Sequence, residues 1–253
     1  MSDVSASDVP TCDFPREDSL CERCGYALRG LPYGGDCPEC GLKIEESDPA
    51  KRRPGLPWQD RMSLRNWWRT IRIVARRPAR SFDVLSVSTS ESRGPLRDRV
   101  FLAIIAIIIG VVWVACSVLT PDLFRVGSTT ANWRIPILFV PMYVMVVAAC
   151  VIALTSIEAL GVAWFSWRRG WRVPFRLAER VSCYASIGWV PAGILCNLLW
   201  LWYDKRLFRG GWYPFFQDER DLLILTAVAM LTILWFEWLV WLGVRRVKYA
   251  NAR

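Results

Sequence analysis

Four cysteines near the N-terminus have the spacing of a metal site. Cys21 and Cys24 form one Cys-x2-Cys pair, Cys37 and Cys40 form a second, and twelve residues separate the pairs. Two residues between cysteines let a tight turn aim both thiolates at one ion, and the glycine after each pair tolerates the left-handed backbone that such a turn needs. The sequence therefore predicts a tetrahedral four-cysteine site in a zinc ribbon over residues 21–42, with zinc as the cofactor and iron as the chemical alternative.

The predicted metal is structural, because four protein ligands leave no position for a catalytic water. Disulfide bonds are the competing use of four cysteines, but the charge distribution of the chain favours a cytoplasmic location for this segment, where disulfides rarely persist. Metal binding would supply the folding free energy that a segment of about 20 residues lacks. We therefore expect a folded module that a protein partner can recognise.

The rest of the composition disfavours an enzyme. The chain contains no histidine, which removes the commonest general base and the usual nitrogen ligand of catalytic metals. It also lacks a phosphate-binding loop, a metalloprotease motif and a serine elbow. A non-enzymatic protein is predicted.

A cationic amphipathic segment follows the cysteines, after a linker over residues 43–57 that is rich in proline and charge. Over residues 58–82 apolar side chains recur at spacings of three and four with arginines between them, which predicts a helix broken at Pro78. Such a helix suits the membrane interface, where tryptophan lies at headgroup depth and arginine meets anionic lipid. A helix packed on the ribbon is the alternative. The residues predicted at the membrane interface are Arg65, Trp67, Trp68, Arg69 and Arg72.

Long apolar stretches occupy the remainder of the chain. The predicted spans cover residues 100–120, 135–157, 181–203 and 222–244. The first has no charged residue in 21 positions, and at about 1.5 Å per residue it reaches ~32 Å, enough to cross the hydrocarbon core. The predicted fold is mostly α: a four-helix transmembrane bundle within residues 100–247, preceded by the interfacial helix and the zinc ribbon, with residues 1–20 as a disordered tail.

The basic residues predict the orientation of this bundle. With the N-terminus in the cytoplasm and four spans, 26 of the 32 Lys and Arg fall on the cytoplasmic side. Cytoplasmic loops carry such an excess, so both termini are predicted to be cytoplasmic, in a bacterial inner membrane. The lipid bilayer and a protein bound to the ribbon are the expected partners, and a homo-oligomer is compatible with the bundle. Nucleic acid is disfavoured because the arginine-rich helix carries tryptophans on its other face.

Two acidic residues, Glu158 and Glu237, lie in or beside the apolar stretches. A carboxylate in a bilayer is costly, so each is a hypothesis for a proton relay or a cation site. Both are predicted near the cytoplasmic ends of their helices, where ion pairs with nearby arginines are the simpler interpretation. Asn197, in the third span, is predicted to make an interhelical hydrogen bond. A small transporter or channel is the alternative function.

Several stretches resemble known bacterial sequences. "CERCGYALRGLP", "CPECG", "LPWQDR" and "LRNWWRTIRIVARRPARSF" resemble a family of uncharacterised bacterial multipass membrane proteins with an N-terminal zinc ribbon. "RRPARSF" and "FRLAERVSCYASIGWVPAGIL" are similar to the membrane part of the Ypt-interacting-protein (Yip) family. The resemblance implies an adaptor or membrane-organising role through partner binding, and it implies no catalytic residue.

Overall fold

The computed structural model describes residues 19–48, 53–87, 94–124, 134–191, 193–195 and 219–251. Within these ranges the protein is mostly α-helical, and its β-structure is limited to two isolated antiparallel bridges. This confirms the predicted mostly helical class and the four-cysteine cluster near the N-terminus. The predicted tail lies outside the described residues except for its last two positions, and Asn197 lies outside them as well.

The helices have clear bounds along the chain. A 3-10 helix covers Ile44–Ser47, and a second covers Ser186–Gly188. The α-helices with named bounds are α1 Pro57–Asp60, α2 Leu64–Arg76, α3 Pro78–Asp83, α4 Gly94–Phe124, α5 Arg134–Arg168, α6 Phe175–Ala185 and α7 Glu219–Val247. Residues 189–191 and 193–195 are helical as well.

The segment predicted as one helix over 58–82 is divided into α1, α2 and α3. The chain is extended at Ser63, whose side chain accepts a hydrogen bond from the backbone N–H of Asn66 and so caps the start of α2. Pro78 begins α3 and cannot continue the hydrogen bonding of α2. The two breaks let α1 and α2 pack beside α4 while α3 packs against α7.

The apolar face of α2 packs on protein. Thr70 and Val74 are buried, and the ring of Trp67 lies 6.3 Å from that of Phe101 on α4. Trp67 is therefore half-buried beside Phe101, and its place at the membrane interface stays a prediction. The other residues predicted for that interface are exposed, namely Arg65, Trp68, Arg69 and Arg72.

A buried polar network joins the start of α4 to the second half of α6. The carboxylate of Asp98 accepts hydrogen bonds from Arg180 Nε at 2.8 Å and from the Tyr184 hydroxyl at 2.9 Å. The Tyr184 ring also lies 4.9 Å from that of Phe101. Both oxygens of the carboxylate are thereby satisfied inside the core, as a buried charge requires.

Glycines mark the closest approaches between long helices. A Cβ atom on Gly243 of α7 would lie 2.5 Å from Val181 of α6, and one on Gly110 of α4 would lie 2.8 Å from the carbonyl oxygen of Val144 on α5. Small residues of this kind let helix backbones approach closely. A side chain at either glycine would therefore force its helix away from the neighbouring one.

Two helices of the described part of the chain are long and apolar enough to cross a membrane, Val140–Arg168 and Thr226–Val247. They overlap the second and fourth predicted spans. The first predicted span lies within α4. The third begins differently from the prediction, because residues 181–188 complete α6 and a 3-10 turn with every side chain buried in the protein. The four-helix transmembrane bundle stays a prediction.

Candidate metal centre

The two cysteine pairs adopt the same turn. The backbone N–H of Gly25 donates to the carbonyl of Cys21 at 2.8 Å, and that of Gly41 donates to the carbonyl of Cys37 at 2.9 Å. Both glycines have positive φ angles, +84° and +67°. The glycine after each pair thus performs the backbone role that the sequence predicts for it.

The four thiol sulfurs form one cluster. The Sγ atoms of Cys21 and Cys40 are 3.5 Å apart, those of Cys24 and Cys37 are 3.6 Å apart, and all four lie within 4.8 Å of one another. A tetrahedral ion with metal–sulfur bonds of about 2.3 Å separates its ligand sulfurs by about 3.8 Å, whereas a disulfide needs about 2.05 Å. The cluster fits a four-coordinate metal ion, and all four cysteines are free thiols.

The surroundings of the sulfurs differ. Burial disfavours the thiolate of Cys37, but hydrogen bonds from the backbone of Cys40 and Glu39, together with those from the neighbouring cysteine thiols, outweigh it and lower the pKa of that thiol to about 7. Burial, with the neighbouring sulfurs, raises the pKa of Cys24 to about 12. Since metal ions bind the thiolate form, metal binding would release protons from this cluster.

The folded segment around the cysteines, which we call the module, covers residues 19–48 and is larger than the predicted ribbon. Ile44 is buried together with Leu28 beside the cysteines, and the Ser47 hydroxyl accepts a hydrogen bond from the backbone N–H of Glu22 at 3.2 Å. The first part of the segment predicted as a linker is therefore folded into the module. Apart from its cysteines the module buries only two apolar side chains in its core, too few to hold about 30 residues together without a metal.

Asn251, just after α7, binds the module through its amide group. Its Oδ1 accepts the backbone N–H of Leu20 at 2.9 Å, and its Nδ2 donates to the carbonyls of Leu20 and Ser47, both at 2.9 Å. Asn251 is buried. The segment after α7 is therefore hydrogen-bonded to both the first and the last residues of the module.

Arg53 makes a second connection beneath the module. Its Nη2 donates to a carboxylate oxygen of Glu22 at 2.8 Å and to the carbonyl of Arg246 on α7 at 2.9 Å, and its Nη1 donates to the carbonyl of Phe82 on α3 at 3.1 Å. The Arg53 and Glu22 side chains are 1% and 0% exposed. This guanidinium ties the module to the ends of α3 and α7. We refer to Glu22, Arg53 and Asn251 together as the clasp.

Sequence reasoning missed the clasp. Glu22 lies inside the first cysteine pair and Arg53 inside the charged segment "AKRRPG", where each has the pattern of an exposed residue. Asn251 is separated by 231 positions from Leu20, its partner. A hydrogen bond over such a distance leaves no periodic signal in a single sequence.

Gly25 offers a test of module docking. A Cβ atom there would lie 2.9 Å from the ring of Tyr249, whereas one on Gly41 would meet no atom within 4 Å. Gly41→Ala is expected to cost about 1–2 kcal/mol from its left-handed backbone, and Gly25→Ala about 1–3 kcal/mol more from overpacking. Hydrogen exchange at the Leu20 and Asn251 amides should accelerate more in Gly25→Ala. Equal acceleration in the two variants would contradict the contact with Tyr249.

The acidic residues of the apolar stretches meet each other. The carboxyl groups of Glu158 on α5 and Glu237 on α7 lie close enough to interact with each other. Among the described residues neither forms the predicted ion pair with an arginine, since Arg168 lies over the ring of Trp164 and Arg245 over that of Trp241. Each of these two arginines contacts an aromatic ring of its own helix instead of a carboxylate.

Trp189 packs against both of these helices near the carboxyl pair. Its Nε1 donates to the Thr155 hydroxyl on α5 at 3.2 Å, and its ring stacks on Phe236 of α7 with centroids 4.5 Å apart. Thr155 and Phe236 are close in sequence to Glu158 and Glu237. The indole therefore helps to fix the separation of the two helices at this level.

Comparison of the chain with models of protein families, with curated proteins and with solved structures found no match. The similarity to zinc-ribbon membrane proteins and to the Yip family accordingly stays a prediction from the sequence. The four-cysteine cluster and the contacts of its module are the features from which a function can be inferred.

Proposed function

We propose that the protein is a non-enzymatic integral membrane protein with a structural zinc ion in its four-cysteine module, acting as an adaptor or membrane organiser. The observation that carries the proposal is the clasp, which fixes the module to the end of α7 beside two helices apolar enough to span a bilayer. A small domain held in one orientation at a membrane helix is suited to recruiting a partner, because little conformational entropy is lost on binding.

The ends of the apolar helices support a membrane location. The backbone N–H of Arg172 donates to the carbonyl of Lys248 at 3.0 Å, so the C-terminal ends of α5 and α7 lie at one level. Here Arg168 lies 4.4 Å from the ring centroid of Trp164, and Arg245 lies 5.2 Å from that of Trp241. Aromatic rings next to cations are typical of the headgroup region. We therefore place the C-terminal ends of α5 and α7 at the cytoplasmic surface of the membrane, with the module on the cytoplasmic side of them.

The exposed side of the module and of α2 would contact partners. Tyr26 is 39% exposed beside the first knuckle, and Leu64 and Trp68, one turn apart on α2, are 80% and 54% exposed. Arg65, next to Leu64, is exposed as well. Trp67 packs beside Phe101, so the exposed surface of α2 that suits anionic lipid consists of Leu64, Arg65 and Trp68. Tyr26, on the module, is the residue we assign to a protein ligand.

The proposal is tested by metal content and partner capture from the same cells. Detergent-purified protein should contain one zinc per chain, and a partner cross-linked to the wild type should be lost in Cys21→Ser and in Tyr26→Ala. Tyr26→Ala should keep its zinc, which separates loss of recognition from loss of folding. Iron in place of zinc, or partners retained by both variants, would contradict the assignment.

The Glu158–Glu237 pair favours a second candidate, a small transporter or channel. Two carboxyl groups can share a hydrogen bond only if one holds a proton, or else a cation must lie between them. A proton or cation site between α5 and α7 is therefore chemically reasonable.

We expect Glu158→Gln with Glu237→Gln to abolish proton or cation flux in reconstituted vesicles if this candidate is right. Amides can keep the hydrogen bond between the helices but carry no exchangeable charge. Glu179→Gln, which alters an exposed pair with Arg99, is the matched control and should keep the flux. Absence of flux in the wild type would remove the candidate.

A further inference from the structure

A cleft of about 1030 Å³ lies between the module and the end of α7. The module contributes one wall and the last turns of α7 contribute the other, with Asp83 of α3 at the edge. Nine charged side chains line it, five of them cationic. The clasp connects the module to the C-terminal end of α7, and so connects the two walls.

The acidic residues of the lining are already engaged. Glu22 binds Arg53, and Asp83 accepts a salt bridge from Arg246 at 3.1 Å. Glu45 and Glu46 also have interaction partners. Two of the four carboxylates of the lining are thus neutralised by arginines.

Four cations of the lining have no carboxylate partner among the described residues. Arg23 and Lys43 come from the module, while Arg245 and Lys248 come from α7 and the turn after it. The last two lie over aromatic rings, those of Trp241 and of Trp171 and Tyr249, contacts that leave the N–H groups able to bind an anion. Cations contributed by two opposed walls provide the convergent donors that a phosphate group requires.

The cleft also has an apolar component. Leu42 from the module and Leu242 from α7 line it between the charged groups, and Leu242 belongs to the candidate span. A ligand that joins a phosphate to an apolar chain would satisfy both kinds of lining. From these contacts we propose that the cleft binds a phosphate group, either that of an anionic phospholipid headgroup or a free phosphate ester.

The inference does not require the adaptor role, because it depends only on the docked module. It is tested on the full chain in detergent after delipidation, by native mass spectrometry with dioctanoyl phosphatidylglycerol and, separately, with inorganic phosphate. One lipid per chain is expected if a headgroup is the ligand, and binding of phosphate alone would identify a soluble ester. Binding of neither probe would overturn the proposal.

Matched double variants locate the site. Arg23→Gln with Lys43→Gln should weaken binding by at least about tenfold, since two charge-assisted contacts are removed. Arg61→Gln with Arg176→Gln removes the same charge from exposed positions outside the cleft and should change affinity by less than about threefold. Equal losses in the two would mean that the charge of the whole protein, and not the cleft, attracts the ligand, which would also overturn the proposal.

A second double variant tests whether the loss of binding comes from a folding defect of the module. Arg245→Gln with Lys248→Gln lies on the opposite wall, away from the cysteines, and should reproduce the loss of binding while metal content stays at the wild-type level. If that variant keeps full affinity, the cleft is not the binding site.

Discussion

Cys21→Ser is expected to release the metal and unfold the module while the long helices remain. The four-cysteine cluster brings the two knuckles of the module together, and the buried apolar side chains beside the cysteines are Leu28 and Ile44. Structural zinc contributes about 10–16 kcal/mol of binding free energy in isolated fingers at neutral pH. Loss of one of four ligands should therefore remove metal from nearly every chain, as measured by elemental analysis of purified protein.

The unfolding should extend to the clasp. Asn251 and Arg53 bind groups that only the folded module presents in this arrangement. We expect hydrogen exchange to accelerate at Leu20, Leu28 and Asn251, with little change in helix content by circular dichroism.

Cys150→Ser is the matched control, because Cys150 is exposed on α5 and lies outside the cluster. Its metal content and its exchange rates should equal those of the wild type. Full metal occupancy in Cys21→Ser would show that the four-cysteine site is wrong.

The cysteine module illustrates what local sequence determines. Cysteine spacing and the following glycines specify a turn that is complete within six residues, and the second knuckle repeats it. Such a pattern can be predicted because all the residues that make it are neighbours in the chain. The helical class can be predicted for the same reason, since the apolar stretches of α5 and α7 are longer than any strand would be.

The amphipathic helix α2 illustrates what local sequence leaves open. A stripe of apolar residues shows that one face is buried, but it does not tell lipid from protein. Trp67 and Trp68 are adjacent, yet Trp67 packs beside Phe101 while Trp68 is 54% exposed. The distinction depends on where α4 passes, and that is a long-range property of the fold.

The meeting of Glu158 with Glu237 is long-range as well. Each residue alone is predicted to pair with arginines of its own helix. The structure directs those arginines onto tryptophan rings and brings the carboxyl groups of α5 and α7 together. Which side chain an intramembrane carboxylate contacts depends on how each helix is rotated about its axis, and the hydropathy of the sequence does not determine that rotation.

Arg53→Met is expected to detach the module even when the metal stays bound. The substitution leaves the buried Glu22 carboxylate without the guanidinium, while its 3.3 Å hydrogen bond from the backbone N–H of Asn251 remains. It also removes the donors to the carbonyls of Phe82 and Arg246. Removing one partner of a buried ion pair costs about 3–5 kcal/mol, because the other charge stays in a medium of low polarity.

Hydrogen exchange measures this cost directly. If the module detaches as a unit, 3–5 kcal/mol corresponds to acceleration of about 10²–10³-fold or more at the Leu20 amide. Arg99→Met makes the same substitution in an ion pair whose arginine is 64% exposed, and it should cost less than about 1 kcal/mol.

A double variant separates the stranded charge from the lost contacts. Glu22→Leu added to Arg53→Met removes the buried carboxylate, so part of the stability should return, while the unpaired carbonyls of Phe82 and Arg246 keep recovery incomplete. If Arg53→Met alone behaved like Arg99→Met, the guanidinium would not hold the module to α3 and α7. The docking would then depend on Asn251 and on the packing of Tyr249 against Gly25, and the cleft between module and helix would survive without its buried ion pair.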